Sequence, residues 1–348
     1  MKLKTALTTF GLGMLAYKLV RQPREESLAG EVALITGGSR GLGYLLAQEF
    51  AREGCRLAIC ARDATELARA QRSLARHGAE VLAIPCDVGD HEQVRQLIDE
   101  TTRHYGRIDI LVNNAGIIQV GPAEEMDIAD FKQAMDIMYW AILYATWAVL
   151  PQMQQRGYGR IVNITSIGGR VSVPHLLPYN SAKFAAVGLS EGLRAELAGD
   201  GIQVTTIVPG LMRTGSHLHA HFKGDQEKEF TWFSLGASLP VISMDARRAA
   251  RQIVAATRRS EAERVLSWPA SLLANFHGLF PALTTDILTV VNNLLLPEPQ
   301  LGETAVQKGL AVQKQLSPLR AQVLALLTTL GQQAAQRYLQ LPASQKRS

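Results

Sequence analysis

The sequence is poor in cysteine and carries no concentrated block of one charge. Its three cysteines, Cys55, Cys60 and Cys86, are odd in number, fall in the first third of the chain and form neither a C-x-x-C pair nor a partnership with nearby histidines. A disulfide framework and a zinc site are therefore not expected, and the three read as reduced core residues of a reducing compartment. The net charge is +5 and no run of Lys and Arg is interleaved with aromatics, so nucleic acid is not an expected partner. The uncharged apolar stretch Thr5 to Tyr17 falls short of the roughly 20 residues that span a bilayer comfortably, unless Lys4 and Lys18 snorkel. No A-x-A cleavage site follows it, which counts against a secretory signal. With Lys2, Arg21 and Arg24 also at its flanks, it reads as a membrane anchor, spanning or interfacial, with the rest of the chain facing the cytoplasm. The alternative is a helix on the protein's own surface and a cytoplasmic protein.

What is present suits one domain with appendages. The 348 residues, 47% of them hydrophobic, hold a domain of about 250 residues and more. We divide the chain into a hydrophobic segment and linker (1–28), a main domain (29–260) and an apolar, helical C-terminal extension (261–348). The branched run Val32 to Thr36 predicts a buried strand, the glycines Gly37 to Gly43 follow at once, and YLLAQEFAREG predicts a helix. Glycines there let the backbone approach a pyrophosphate, whose charge then sits over the helix N-terminus. A second strand, Arg56 to Cys60, ends at Arg62 and Asp63. In a dinucleotide fold that end faces the adenosine ribose, where a base accommodates a 2′-phosphate. Arg62 and Arg40 then bracket the phosphate, favouring NADP over NAD; the alternative gives the selecting role to Asp63. The strand EVLAIPCDV follows, with Asp87 and Val88 at the adenine edge. IDILVNNAG (Ile108 to Gly116) comes next, its Asn113, Asn114, Ala115 and Gly116 suited to lying under a cofactor ribose. Strands alternating with helices give an α/β fold with a doubly wound parallel sheet.

Tyr179 and Lys183 are four residues apart, so a helix places them on one face. A free Tyr holds its proton to roughly pH 10, and a cation within a few ångströms lowers that value. Ser166 lies upstream at the end of the apolar run Ile161 to Ile164, which brings hydroxyl, phenol and ammonium to one strand end.

T-G-G-S-R-G-L-G at Thr36 to Gly43, N-N-A-G at Asn113 to Gly116, Ser166, Y-N-S-A-K at Tyr179 to Lys183 and P-G-L-M-R-T at Pro209 to Thr214 together resemble the short-chain dehydrogenase/reductase family over roughly residues 29 to 260. The resemblance implies a single Rossmann-like domain and hydride transfer between NAD(P)(H) and a carbonyl or alcohol. It makes Tyr179 the general acid/base, assisted by Lys183, which also holds the nicotinamide ribose, with Ser166 orienting the substrate oxygen. Gly37, Ser39, Arg40, Gly41, Leu42, Gly43, Arg62, Asp87, Val88, Asn114 to Gly116, Pro209, Gly210 and Thr214 are its implied cofactor contacts. One position departs: Met138 stands where the family usually carries an Asn that helps hold a water behind the Lys, and a thioether is a poor substitute.

The segment Leu211 to Asp245 reads as a mobile lid. Its apolar residues, Phe222, Phe230, Trp232 and Phe233 among them, suggest a lipophilic substrate, while His217, His219 and His221 read as solvated loop histidines without a metal. The helices around Met138 and after Tyr179 are apolar nearly all round and therefore buried. Their outer faces pack either on a second subunit or under the C-terminal extension. Trp268 to Pro299 is strongly apolar and proline-broken, forming a cap over the site or a membrane-facing surface. Ser317-Pro318 opens a helix with an apolar stripe from Leu319 to Tyr338, and the tail Ser344 to Ser348 is expected to be disordered. The reading is an NADP(H)-dependent oxidoreductase acting on a small lipophilic carbonyl or alcohol; its rival, resting on Met138 alone, is a nucleotide-binding sensor or scaffold with little turnover.

Overall fold

The computed structural model describes residues 25–300 and 305–341; the expected N-terminal anchor and C-terminal tail lie outside the described residues. Seven parallel strands form the central sheet: β1 (Val32–Thr36), β2 (Arg56–Ala61), β3 (Val81–Pro85), β4 (Ile110–Asn113), β5 (Gly159–Ile164), β6 (Ile202–Pro209) and β7 (Glu263–Leu266), in the order β7-β6-β5-β4-β1-β2-β3. A parallel sheet covered on both faces needs strands apolar on both sides, and every residue of β1 is buried. β7 pairs with β6 from Glu263 opposite Thr206 to Leu266 opposite Pro209. The sheet thus runs past the expected domain boundary at 260.

Helices α1 (Gly41–Arg52) and α2 (Ala64–Ala75) cover one face, α3 (His91–Tyr105), α4 (Ile128–Arg156) and α5 (Leu177–Leu197) the other. Leu45, Phe50, Leu67 and Leu74 fill the first core layer and Val94, Leu97, Val149 and Leu193 the second. Asp63 caps α2, its carboxylate accepting from the amides of Thr65 and Glu66 at 2.8 and 2.9 Å, which occupies the residue given the selecting role in the alternative reading. α4 is long and apolar enough to cross a membrane by length and composition, yet Ala134, Met138, Ala145, Val149 and Met153 bury it in the second core layer. It contains a π turn at Asp136–Trp140, a geometry frequent at functional sites. Trp140, Trp147 and Phe184 remain exposed on the outer faces of α4 and α5, and Gly188 and Gly192 face open space; the described residues of the C-terminal extension do not bury them.

Beyond β6 lies the lid helix α6 (Gln226–Ser238), and α7 (Ala246–Arg258) returns to pack on α1. The extension then divides. Helices α8 (Trp268–Leu279) and α9 (Pro281–Leu295) form a hairpin that buries little beyond Ala270 and Thr284. Helices α10 (Gly309–Gln315), α11 (Pro318–Leu327) and α12 (Thr329–Arg337) pack on α6. The helix expected after Pro318 breaks at buried Thr328, whose hydroxyl donates to the Leu324 carbonyl at 2.7 Å. As a result Leu324, Ala334 and Tyr338 are buried while Leu319, Leu326 and Leu327 stay exposed. A third core forms here, in which Phe222, Phe230 and Phe233 of the lid pack with Val120 and Val312. These aromatics, expected to face a substrate, are structural.

Phe50 is fully buried between α1 and the sheet. Phe50→Ala should lower the stability measured by urea unfolding by about 3–5 kcal/mol.

Candidate active site

Strand order reverses between β1 and β4, and ligands of open α/β sheets bind outside the carboxyl ends of the strands at such a switch point. Two sequence-distant motifs meet there. The Thr36 hydroxyl at the end of β1 accepts from the amides of Asn114 and Ala115 at 2.9 and 3.0 Å, and the Asn114 side chain donates to the Thr36 carbonyl at 2.9 Å. Gly37 and Gly41 have positive φ, 67° and 57°, a conformation glycine adopts without steric cost. A Cβ on Gly43 would stand 2.1 Å from the Gly37 carbonyl oxygen, so α1 packs against the turn as closely as its backbone permits. This glycine cradle beside the amides opening α1 fits a dinucleotide pyrophosphate.

Arg40 pairs with Glu66 and Ser39 is buried beside the same carboxylate. Arg62, 58% exposed, lies 4.0 Å from Asp87. The two guanidiniums expected to bracket one phosphate are thus engaged with separate carboxylates. Val88 is buried, and Asp87 accepts from the Gly89 amide at 3.1 Å. Pro209 closes β6, the Gly210 amide donates to the Leu266 carbonyl at 3.4 Å, and buried Thr214 accepts from the Ser216 amide at 3.2 Å.

Ser166, Tyr179 and Lys183 do converge. Ser166 lies two residues beyond the end of β5 and accepts from the Gly168 amide at 3.0 Å. Gly168 and Gly169 let the chain pass directly beneath α5, since a Cβ on the first would stand 2.6 Å from Asn180 Oδ1 and on the second 2.6 Å from the Lys183 carbonyl oxygen. A Cβ on Gly168 would also lie 3.1 Å from the Tyr179 ring and 3.4 Å from Ser166 Oγ, which places the hydroxyl beside the phenol, and Lys183 Nζ lies 5.8 Å from the centre of that ring. Lys183 is buried and donates to the Ile164 carbonyl at 2.8 Å.

The electrostatics differ from the expected phenol beside a cation. Burial pushes the Tyr179 phenol up, with only the Ser166 hydrogen bond opposing it. Burial pushes the Lys183 ammonium down from 10.5 to about 8. Met138 is buried in the π turn behind this pair: a Cβ on Gly116 would lie 3.6 Å from its sulfur and 4.0 Å from Lys183 Nζ.

Of the three lid histidines expected to be solvated, His217 is buried while His219 and His221 are partly exposed. His217 is buried 6.0 Å from the Phe230 ring, and burial takes its pKa to about 4, so it is neutral at pH 7. His219 meets the Gln340 carbonyl oxygen at 2.7 Å. Two groups had no local signal in the sequence. His175, four residues before Tyr179, has φ 63° and places Nδ1 2.7 Å from buried Glu229 of α6, whose other oxygen accepts from Trp232. Tyr338 to Leu341 lie against the glycine turn, where the Gly41 amide donates to the Tyr338 carbonyl at 2.8 Å.

The sheet order, the glycine turn and the Ser-Tyr-Lys group define an oxidoreductase of the Rossmann type. The chain belongs to the short-chain dehydrogenase family, whose model matches residues 31–221, and it acts as an oxidoreductase on alcohol or carbonyl groups. It is 39% identical over 184 residues to an uncharacterized oxidoreductase of Bacillus subtilis (strain 168), covering 53% of this chain and 72% of that one. It is 35% identical over 204 residues to 11-beta-hydroxysteroid dehydrogenase 1A of Arabidopsis thaliana, covering 58% of each chain. Among solved structures, a short-chain dehydrogenase from Streptomyces avermitilis superposes with a TM-score of 0.66 at 30% identity, over 77% of this chain and 99% of that one.

Unfolded Lys183 keeps its proton up to its ordinary pKa of 10.5, whereas folded Lys183 releases it above about 8. Between those values the unfolded chain binds more protons, so the native state gains stability as pH rises. Urea midpoints taken from pH 8 to 10 should therefore rise for the native chain relative to Lys183→Met, in which this dependence is absent.

Proposed function

We propose that the chain is an NADP(H)-dependent reductase or dehydrogenase that interconverts a small lipophilic carbonyl and its alcohol, with Tyr179 as general acid/base. The convergence of Ser166, Tyr179 and Lys183 beside the glycine cradle carries this reading. The bound dinucleotide supplies or accepts the hydride. Tyr179, held as the neutral phenol by burial, is then a proton donor in the reductive direction, and the Ser166 hydroxyl fixes the oxygen that receives the proton. Lys183 spends one donor on Ile164 and has two left for a ribose hydroxyl and the phenolate that proton transfer creates. Met138 gives no polar side chain to a water behind Lys183, so such a relay rests on backbone carbonyls in the π turn.

The 2′-phosphate of NADP would draw Arg40 and Arg62 from their exposed or half-exposed carboxylate partners, exchanges between charge-assisted bonds of similar strength. Asp63, spent on capping α2, is poorly placed to select NAD. For a lipophilic substrate the support is local: α8 starts beside Gly210, where an added Cβ would lie 2.9 Å from Ser267 Oγ and 3.0 Å from the Ala270 side chain. The α8–α9 hairpin that follows leaves Leu272, Leu279, Phe280, Leu283, Val290 and Leu294 exposed. Trp268 to Leu295 contains Asp286 and no other charged carboxylate or base apart from His277. Contiguous exposed apolar surface of this kind marks a membrane or protein contact. The hairpin together with the N-terminal segment supports attachment to a membrane with the catalytic domain in the cytoplasm, and the open faces of α4 and α5 support a second subunit.

With NADPH and a panel of lipophilic ketones and aldehydes, Tyr179→Phe should lower turnover by about 10²–10⁴-fold. Arg40→Ala with Arg62→Ala should erase the advantage of NADPH over NADH; turnover that survives Tyr179→Phe refutes the assigned acid. In a flotation assay the chain should rise with phosphatidylcholine liposomes, and the combined Leu283→Asp, Val290→Asp and Leu294→Asp variant should remain at the bottom of the gradient while keeping its turnover of a water-soluble carbonyl.

A further inference from the structure

Residues 338–341 follow α12 and cross the opening of the glycine turn. The Gly41 amide, first of the donors at the start of α1, is taken by the Tyr338 carbonyl. Gln340 is buried with its side-chain amide packed on Gly41, so closely that a Cβ there would lie 2.6 Å from Gln340 Nε2, and its Oε1 has no hydrogen-bond partner. Arg69 of α2 donates to the carbonyls of both Leu339 and Leu341, and His219 of the lid meets the Gln340 carbonyl. Upstream, Ala335 closes on Gly215, next to Thr214, leaving no room there for a Cβ. Leu339 holds φ at 60°, a left-handed conformation that a bulky residue rarely adopts.

We propose that Tyr338–Leu341 is an autoinhibitory strap: it occupies the pyrophosphate end of the cofactor cleft and swings away when a dinucleotide binds. This rests on the cofactor reading above. The chemistry favours the displacement, because a backbone carbonyl and a phosphate are both acceptors that compete for the one Gly41 N–H, and their oxygens repel. The group the strap sets on that N–H, the Tyr338 carbonyl, is an acceptor and cannot stay beside a phosphate. Its anchors lie on the glycine turn, α2 and the lid, so release frees these three parts together. The left-handed Leu339 and the unpartnered Gln340 oxygen are local costs that the closed state bears and the open state sheds. A competent state populated only in part weakens apparent affinity by that fraction.

The native full-length chain tests this directly by hydrogen exchange with and without NADPH, occupancy being followed by nucleotide fluorescence. The amides of Tyr338 and Gln340, bonded to the carbonyls of Ala334 and Ala335, should lose protection at saturating NADPH. Arg69→Ala, which removes two anchors of the strap, should bind NADPH about tenfold tighter. Protection at Tyr338 and Gln340 that is unchanged or raised in the NADPH-saturated chain overturns the strap and leaves the cofactor reading standing. Failure of both the native chain and Arg69→Ala to bind NADPH or NADH overturns both.

Discussion

Backbone donors at the start of a helix need acceptors, and the helix itself supplies none. At α1 this demand is unusually exposed, because the glycines that bring Gly37 and Gly43 into contact carry no side chains and Arg40 at the N-cap makes no capping bond. A dinucleotide-binding fold leaves these donors open for a phosphate. Here the Tyr338 carbonyl meets one of them from the far end of the chain. The residues around that contact link two cores, Tyr338 and Leu339 joining the first core layer and Ala335 the third.

The main domain was readable because its signals are local. Branched apolar runs gave the strands, and Asp63, Asp90 and Asp245 each cap the helix that follows directly in sequence. The site motifs each sit at a strand end or in the first turns of a helix, where backbone geometry fixes them. The lid and the extension were less readable because their burial depends on partners far away in sequence. Phe222, Phe230 and Phe233 look like pocket aromatics until Val312 is brought against them. His217 looks solvated until the lid folds over it. The break at Thr328 sits in a stretch whose apolar stripe continues through it, and no proline or glycine marks it.

Charge pairing misled in a similar way. Arg40 and Arg62 lie at positions that suit a phosphate, and local reasoning treats them as free for it. In the folded chain each has a carboxylate, Glu66 and Asp87. Partly exposed pairs of this kind are worth little, so they leave the guanidiniums uncommitted.

The same reasoning bears on Lys183 and Met138. A buried ammonium with one carbonyl partner is a costly group, and the fall of its pKa to about 8 expresses that cost. Met138 offers it no relief, because a thioether neither donates nor accepts strongly. The π turn around Met138 instead interrupts the regular helical pattern beside Lys183. The polar support shown for Lys183 is a backbone group, the Ile164 carbonyl. Backbone carbonyls do not depend on the identity of residue 138, which explains how the fold keeps its Ser-Tyr-Lys group in register with a methionine at that position.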